Sequence, residues 1–366
     1  MLAGHWQDLT FESAPGVKTR GIMSAWHVLT QNSQQPAAFN SPELLFPILK
    51  HMPHCELASV SQGADLLMVV PLASRRTHRA SLASPLLASG LPHLSSRLTD
   101  ATVQSFLKSQ TQPVFFKSIP AESSFFDVLK KHATHLRVMD AWQRAALKPK
   151  GSFAEWMSAN FDQKRRKEFK RQRTRLSEVG TLTVETQQSG QTAKPFVDDF
   201  LRLEASGWKG KKGTAINSQP QLVQALHEAT ETMHKVGKLR FWTIKLDGKA
   251  IASLYAWVEG THAWLGKIAY DEAYAKYSPG VMIVLECTES FFNDAGITQV
   301  DSTAIPDHPM IDRLWRDRLP MVDVCVGSDR ISKLRFDLVS GAEKIRIMIR
   351  SILRHLYYRL RKEHRS

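Results

Sequence analysis

Three side chains in the second half of the chain could take up or supply a proton: Glu204, Asp301 and His308. His308 lies in the turn Pro306-Asp307-His308-Pro309, whose two prolines fix φ on either side. Asp301 follows a predicted strand. Glu204 ends a predicted helix, where the helix dipole disfavours a carboxylate. A histidine or a carboxylate acts as a general base when its pKa lies near the working pH. Two of them have a structural alternative: a backbone hydrogen bond for His308, and for Glu204 an ion pair with Lys209 or Lys211.

A second chemical feature is the helix start Ser278-Pro279-Gly280. It follows an aromatic-rich predicted strand, His262–Tyr270, and a polar loop. Serine suits the N-cap and proline the first helical position. The first N–H groups of a helix and its dipole favour an anion, and a glycine leaves room for close approach. The pattern therefore predicts a phosphate cradle, with an ordinary, well-capped βαβ unit as the alternative.

The composition bounds the class of protein. The chain has 366 residues, is 43% hydrophobic and carries a net charge of +14. It is long enough for two domains and a substantial core. No apolar run is long enough for a membrane span, and no basic segment followed by an apolar one opens the chain. The three widely spaced cysteines predict a reduced, cytoplasmic protein, and no histidine or cysteine set has the spacing of a metal site.

The positive charge is concentrated in two segments. Residues 164–175 hold eight Lys or Arg against one Glu, and residues 341–366 hold eight against two. The first is typical of a solvated connecting helix, although it could contact nucleic acid phosphates or attract another anion. The second has apolar residues along one helical face, which favours binding at an anionic membrane surface over packing back on the domain.

The predicted elements give a repeated order. A helix and a hairpin precede alternating helices and strands up to residue 132. After the basic helix come a strand (181–185), two helices (192–208 and 219–237), and a hairpin turning at Asp247-Gly248. The predicted organisation is a loose tail (1–20), an N-terminal domain (21–150), basic connecting helices (151–180), a C-terminal domain (181–330) and a basic amphipathic helix (331–366).

Five blocks between about residues 150 and 325 resemble the GNAT-fold acyltransferases of the CelD/BcsL type, from cellulose and exopolysaccharide loci, which are distantly similar to the Fem aminoacyl transferases. The blocks are KRRKEFKRQRTRL (164–176), LEASGWKGKKGTAI (203–216), LRFWTIKLDGKAIASLYAW (239–257), KIAYDEAYAKYSPGVMI (267–283) and DSTAIPDHPMIDRLWRDRLP (301–320).

The resemblance implies a mixed α/β (α+β) fold of two tandem GNAT-like domains, of which the N-terminal one is degenerate. It implies acetyl-CoA or another acyl-CoA as the donor, no metal, and direct attack of an amine or hydroxyl on the thioester. The residues it implies are Glu204, Asp301 and His308 as catalytic groups, Ile268, Tyr270, Ser278, Gly280, Val281 and Met282 for the cofactor, and Trp208, Lys209, Lys267, Asp307 and Trp315 for the substrate.

Three functions follow as hypotheses. The first is an acyl-CoA-dependent transferase acting on a small-molecule, saccharide or lipid-linked acceptor in polysaccharide or envelope synthesis. The second is a Fem-like transferase that uses aminoacyl-tRNA, the only nucleic acid expected as a partner. The third is a non-catalytic scaffold of a polysaccharide synthase at the inner face of the membrane, anchored by residues 341–366.

Overall fold

The computed structural model describes residues 9–363 except 16–22, 34, 53–54, 98, 188–190, 208–209, 211–212 and 214. The described residues form thirteen strands and eleven α-helices. The strands are β1 (Leu9–Pro15), β2 (Cys55–Gln62), β3 (Asp65–Ser74), β4 (Arg79–Ser81), β5 (His93–Leu94), β6 (Val114–Pro120), β7 (His135–Leu147), β8 (Leu182–Thr186), β9 (Leu239–Leu246), β10 (Lys249–Glu259), β11 (His262–Tyr270), β12 (Gln299–Asp301) and β13 (Asp317–Gly327).

The helices cover the two faces of the sheet that these strands form. They are α1 (Met23–Gln31), α2 (Pro42–Lys50), α3 (Thr99–Ser109), α4 (Ser124–His132), α5 (Phe153–Asn160), α6 (Gln163–Ser177), α7 (Lys194–Ser206), α8 (Pro220–Lys235), α9 (Pro279–Phe292), α10 (Ile311–Leu314) and α11 (Lys333–Glu363). Within the described residues, no helix is both long enough and apolar enough to cross a membrane.

The strands form one sheet whose order is a palindrome of two repeats. The order is β1-β2-β3-β4-β6-β13-β7-β12-β11-β10-β9-β8, with β5 attached to β3. Each repeat runs strand, two helices, three strands, helix, strand, helix, strand, so β1 to β7 match β8 to β13 once β5 is set aside. This confirms the predicted fold class of two tandem GNAT-like halves in a mixed, mostly antiparallel sheet.

Each half contains one parallel strand pair of only two or three residues. In the C-terminal half, β11 pairs with β12 from His262 to Trp264, where β12 ends, and β11 continues to Tyr270. In the N-terminal half, β4 pairs with β6 at Arg79 and Ala80. Beyond each short pair the longer strand, β11 or β6, has no strand partner on that edge among the described residues, and a ligand can approach such an edge.

Side chains that alternate along the strands build cores on both faces. Phe241 and Tyr255 face α1, α2, α7 and α8, and we call this side the α7 face. Trp242 and Leu254 face α5, α6, α9 and α10 on the α9 face. In the N-terminal half, α3 and α4 cover the α9 face, and the start of α11 packs against Phe115 on the α7 face.

Two strands differ from the expected organisation. Residues 9–15, placed in a loose tail, instead pair with β2 along its whole length. β13, at the end of the predicted C-terminal domain, lies between β6 and β7 of the N-terminal half, and β7 in turn pairs with β12. We keep 21–150 and 181–330 as the proposed domains. β13 of the C-terminal domain pairs with strands of the N-terminal one, and β7 of the N-terminal domain pairs with β12 and β13 of the C-terminal one.

Acidification should destabilise this fold through His93 of β5. The side chain is fully buried, and a hydrogen bond with the Asn40 backbone opposes the effect of burial on its pKa only in part. Burial lowers the pKa of His93 to about 3, and the charge of Lys238 acts in the same direction. In the unfolded chain the pKa of the imidazole is about 6.5, so the unfolded state binds the proton first as the pH falls. The free energy of unfolding therefore decreases as the pH drops from about 6.5 toward about 3.

The contribution of His93 to this loss should be about 2 kcal/mol at about pH 5. Urea unfolding at about pH 7 and about pH 5 measures it. Between about pH 7 and about pH 5, the variant His93→Leu should lose less free energy of unfolding than the wild type. The control variant His234→Leu, on the last turn of α8, should lose as much as the wild type. An unchanged pH dependence in His93→Leu would show that this imidazole does not control acid stability.

Candidate functional site

The candidate site lies where β11 continues past the end of β12. Four elements meet there: β11, the end of α7, the start of α9 and the loop after β12. β11 supplies Lys267, Ile268 and Tyr270, the end of α7 supplies Glu204, and the start of α9 lies beside Tyr270. The hydroxyl of Thr303 donates a hydrogen bond to the Leu265 carbonyl at 2.7 Å, which holds the loop after β12 against β11.

Gly266 brings β11 close enough to β10 for this arrangement. A Cβ at this position would lie 1.8 Å from Cε2 of Tyr255, so the aromatic ring occupies the space of the missing side chain. Glycine inside a strand often marks such a close approach. Tyr255 is fully buried, and its hydroxyl has no hydrogen-bond partner among the described residues. Burial raises the pKa of Tyr255 far above its usual range, with the negative charge of Glu204 adding to the shift, so the phenol stays protonated.

Glu204 is a buried carboxylate, and two donors hold it among the described residues. It is 3% exposed; Oε2 accepts the N–H of Ile216 at 2.8 Å, and Oε1 is 3.1 Å from Nζ of Lys267. The cation and the amide offset the cost of a charge placed against the helix dipole. The ion pair predicted with Lys209 or Lys211 falls outside the described residues. Lys267, predicted as a substrate-binding residue, is the described partner of Glu204.

A small cavity opens beside this pair. It has a volume of about 40 Å³ and is lined by Leu203, Glu204, Gly207, Ile268, Ala269, Tyr270 and Glu272. This is enough for a water molecule or one functional group of a ligand. Glu204, Ile268 and Tyr270, predicted as site residues, therefore share one opening.

The start of α9 differs from the predicted phosphate cradle. Ser278 is left-handed at φ +56°, and its carbonyl accepts the N–H groups of both Val281 and Met282, at 2.9 and 3.1 Å. Pro279 has no N–H, which leaves the Gly280 amide as the group in this turn available to an anion. The Gly280 position meets the Tyr270 ring 3.0 Å from its built Cβ, so the missing side chain makes room for an aromatic ring. The turn therefore does not fit the predicted cradle of several amides.

His308 serves mainly as a helix cap in this structure. Its Nδ1 accepts the N–H groups of Met310 and Ile311, at 3.4 and 3.3 Å, at the start of α10. The backbone-bonded alternative for His308 is therefore the one that the geometry supports. Asp307 beside it is exposed, and Met310 packs toward Gly280, which places this turn next to the start of α9.

Asp301 is committed to a buried ion pair. Oδ2 lies 3.0 Å from Nη1 of Arg144, and Oδ1 accepts the N–H of Thr303 at 2.6 Å. Arg144 and Asp301 are 3% and 5% exposed. Both oxygens of Asp301 are therefore occupied, as both oxygens of Glu204 are, and Asp301 differs in having a fully formed ion pair with the N-terminal half. Its position between β7 and β11 joins the two halves.

Trp315 is a core residue, which corrects its prediction as a substrate contact. Its side chain has no exposed surface, and its indole N–H donates to Thr288 Oγ1 of α9 at 3.0 Å. The predicted residues Trp208 and Lys209 lie outside the described residues. The sequence reasoning missed Arg144, Tyr255 and Gly266. Of these, only Gly266 carried a local signal, as a glycine between aromatic strand residues.

The basic helix α6 borders the site. Asp162 caps it by accepting the N–H of Arg165 at 2.7 Å, and its apolar edge buries Phe169 and Leu176. Arg173 pairs with Glu286 of α9, and most of the other cations of the helix are exposed. An anion bound near the start of α9 would therefore lie in a positive potential. Among the described residues, no group of three His, Cys, Asp or Glu could hold a metal ion.

Residues 163–308, which contain most of these groups, match the family model described as an acetyltransferase (GNAT) domain. No curated protein sequence matches the chain significantly.

Three solved structures show the same fold at low identity. The C-terminal domain of a putative lysylphosphatidylglycerol synthetase from Agrobacterium fabrum gives a TM-score of 0.56 at 11% identity, covering 89% of this chain and 96% of that one. FemX gives 0.55 at 8%, covering 87% and 98%. The L-PGS of Bacillus licheniformis gives 0.52 at 11%, covering 87% and 96%. Residues 163–308 thus match a GNAT acetyltransferase domain, which supports an acyltransferase, and the chain has the fold of two tandem GNAT-like halves.

Proposed function

We propose that the protein transfers an acyl group from an acyl-CoA, most simply acetyl-CoA, to an amine or hydroxyl. The observation that carries the proposal is the ion pair between buried Glu204 and partly buried Lys267, on the part of β11 that lies beyond its short pairing with β12. Glu204 lines the small cavity beside this pair, where a carboxylate oxygen can take the proton that the attacking nitrogen or oxygen loses.

A second candidate, a Fem-like transferase using aminoacyl-tRNA, is favoured by the start of α9. A CoA pyrophosphate would find one available amide there, since Val281 and Met282 already donate to Ser278. The exposed cations of α6 beside it suit a longer polyanion. The structures named lysylphosphatidylglycerol synthetase and FemX share this fold, which keeps an aminoacyl donor under consideration for this chain.

For the acceptor, we propose a saccharide or lipid-linked intermediate of envelope or polysaccharide synthesis, as the resemblance to the CelD/BcsL type implies. The apolar side chains along α11 support a position at a membrane surface. Leu338, Ile345 and Leu353 are 65%, 56% and 60% exposed, on a helix that also carries many cations. A helix with an apolar face and a basic face binds anionic lipid surfaces.

Ligand-dependent thermal stability separates the two donors. A ligand at a hundred times its dissociation constant should stabilise the fold by ~2.7 kcal/mol. We expect a shift with acetyl-CoA or longer acyl-CoAs, and a shift with a tRNA pool alone would replace the first candidate by the second. A protein that responds to neither has neither proposed activity.

The variant Glu204→Gln tests the proton-transfer role with the donor so identified. Turnover should fall by roughly 10² to 10⁴, while donor binding is retained. Glu185→Gln, at an exposed ion pair with Lys245 on the sheet edge, serves as the control and should keep full turnover. If Glu204→Gln keeps normal turnover, Glu204 has a structural role only.

A further inference from the structure

A second cavity lies in the N-terminal half, on the α7 face, away from the Glu204 site. Its volume is about 240 Å³. Its walls are the end of β3 and the turn after it, β4, β6 and the covering helix α11. It borders the short β4–β6 pair, which is the counterpart of the β11–β12 pair in the palindromic sheet.

Three cations from three different elements reach this cavity. They are Arg75 from the turn after β3, Lys117 from β6 and Arg346 from α11. The carboxylate that lines it, Glu343, is 3.1 Å from Arg346 and offsets one charge. In the described part of the chain, neither Arg75 nor Lys117 forms an ion pair with a carboxylate. The cavity therefore carries an excess of about two positive charges, which an anion would neutralise.

Neutral donors complete the walls. His78 packs edge-on against Phe115, with ring centroids 4.6 Å apart. Burial lowers its pKa, Glu343 opposes this shift, and Arg75, Arg346 and Lys117 add to it, so the imidazole is neutral at physiological pH. The buried hydroxyl of Ser81 accepts a hydrogen bond from the backbone N–H of Lys117 at 3.1 Å. Its own proton can therefore be donated to a ligand.

We propose that this cavity binds a phosphate group. Arginine forks and a lysine ammonium are the side chains that bind phosphate oxygens, and the excess charge matches a phosphate ester. The cavity is much larger than one water molecule requires. The phosphate could belong to a soluble ester or to a phospholipid headgroup, since Arg346 lies on the same helix as the exposed apolar side chains. The proposal does not depend on acyl transfer, because no residue of the Glu204 site lines this cavity.

The test uses the full chain, with inorganic phosphate and glycerol 3-phosphate as soluble probes in calorimetric titrations. Vesicles of phosphatidylcholine with or without phosphatidylglycerol serve as the lipid probe. Lys117→Met should weaken binding by roughly tenfold or more, as expected for the loss of a charge-assisted hydrogen bond, and Arg75→Met/Lys117→Met should abolish it. Arg76→Met and Lys344→Met remove neighbouring cations that do not line the cavity and should leave binding unchanged. Unchanged melting temperatures would show that all variants fold.

The two probes distinguish the source of the phosphate. If the wild type binds inorganic phosphate or glycerol 3-phosphate and Arg75→Met/Lys117→Met does not, the ligand is a soluble phosphate. If the double variant loses only the binding to phosphatidylglycerol vesicles, the ligand is a phospholipid headgroup. In either case, bound phosphate should raise the pKa of His78, which NMR of labelled histidine detects against His78→Gln. If neither probe distinguishes the wild type from Arg75→Met/Lys117→Met, the proposal is wrong.

Discussion

Replacement of Gly266 by alanine should destabilise the protein by roughly 3 kcal/mol or more. The new Cβ would lie 1.8 Å from Tyr255 Cε2 and 2.3 Å from two further ring atoms. The ring cannot move aside, because it is fully buried and packs against Phe200, Phe241 and Trp257 at centroid distances of 5.1 to 5.4 Å. Either β11 or the aromatic cluster must shift, and the Glu204 site would shift with it. The midpoint of urea unfolding measures the loss.

Shortening the opposing side chain should relieve this clash. In Gly266→Ala/Tyr255→Leu the combined loss should be smaller than the sum of the single losses, since the two substitutions act on one contact. Gly341→Ala is the matched control: its Cβ would meet Arg137 at an ordinary 3.7 Å within α11, where alanine is the better helix former. Strictly additive losses would mean that Tyr255 is not what restricts position 266.

Removal of the Arg144 guanidinium should cost about 3–5 kcal/mol, because Asp301 would keep a buried and uncompensated charge. Arg144→Met preserves the length of the side chain while deleting the partner 3.0 Å from Oδ2. The remaining described partner of Asp301, the N–H of Thr303, cannot offset a full charge. Since the pair joins β7 to the end of β12, the loss should be global, and it should appear in urea unfolding by both fluorescence and circular dichroism.

A double-mutant cycle isolates this charge effect. Arg144→Met/Asp301→Asn should be more stable than Arg144→Met, since the neutral amide can still accept from Thr303 without carrying a charge. The exposed pair of Arg97 and Asp65 provides the control, and Arg97→Met should cost about 0–1 kcal/mol. A loss for Arg144→Met as small as that for Arg97→Met would contradict a buried, charge-dependent contact.

Local patterns were sufficient to predict much of the C-terminal half. The basic segment 164–175, expected within connecting helices over 151–180, lies in α6, Gln163–Ser177, and the hairpin expected at Asp247-Gly248 has both residues at positive φ. These features depend on a cap, an amphipathic edge or a turn dipeptide, which neighbouring residues determine. The position of β13 depends on pairing with β6 and β7, nearly two hundred residues earlier in the chain, and no local pattern encodes such a partner.

The same distinction applies to the site. The sequence identified Glu204 as a carboxylate that required a partner, but the partner, Lys267, comes from another element 63 residues away. The sequence also indicated a helix start at Ser278. It could not show that the backbone would use the N–H groups of Val281 and Met282 internally. Burial of Trp315 and pairing of Asp301 likewise depend on tertiary packing.

The position of β13 also sets an order for synthesis. β6 and β7 are synthesised long before residues 317–327, so the strand that pairs with both of them is absent until late in synthesis. Exposed strand edges are prone to pairing with other chains. β7, by contrast, is already available when β12 emerges. The nascent protein therefore completes its first half last, and chains interrupted before β13 are the form that most needs protection from aggregation.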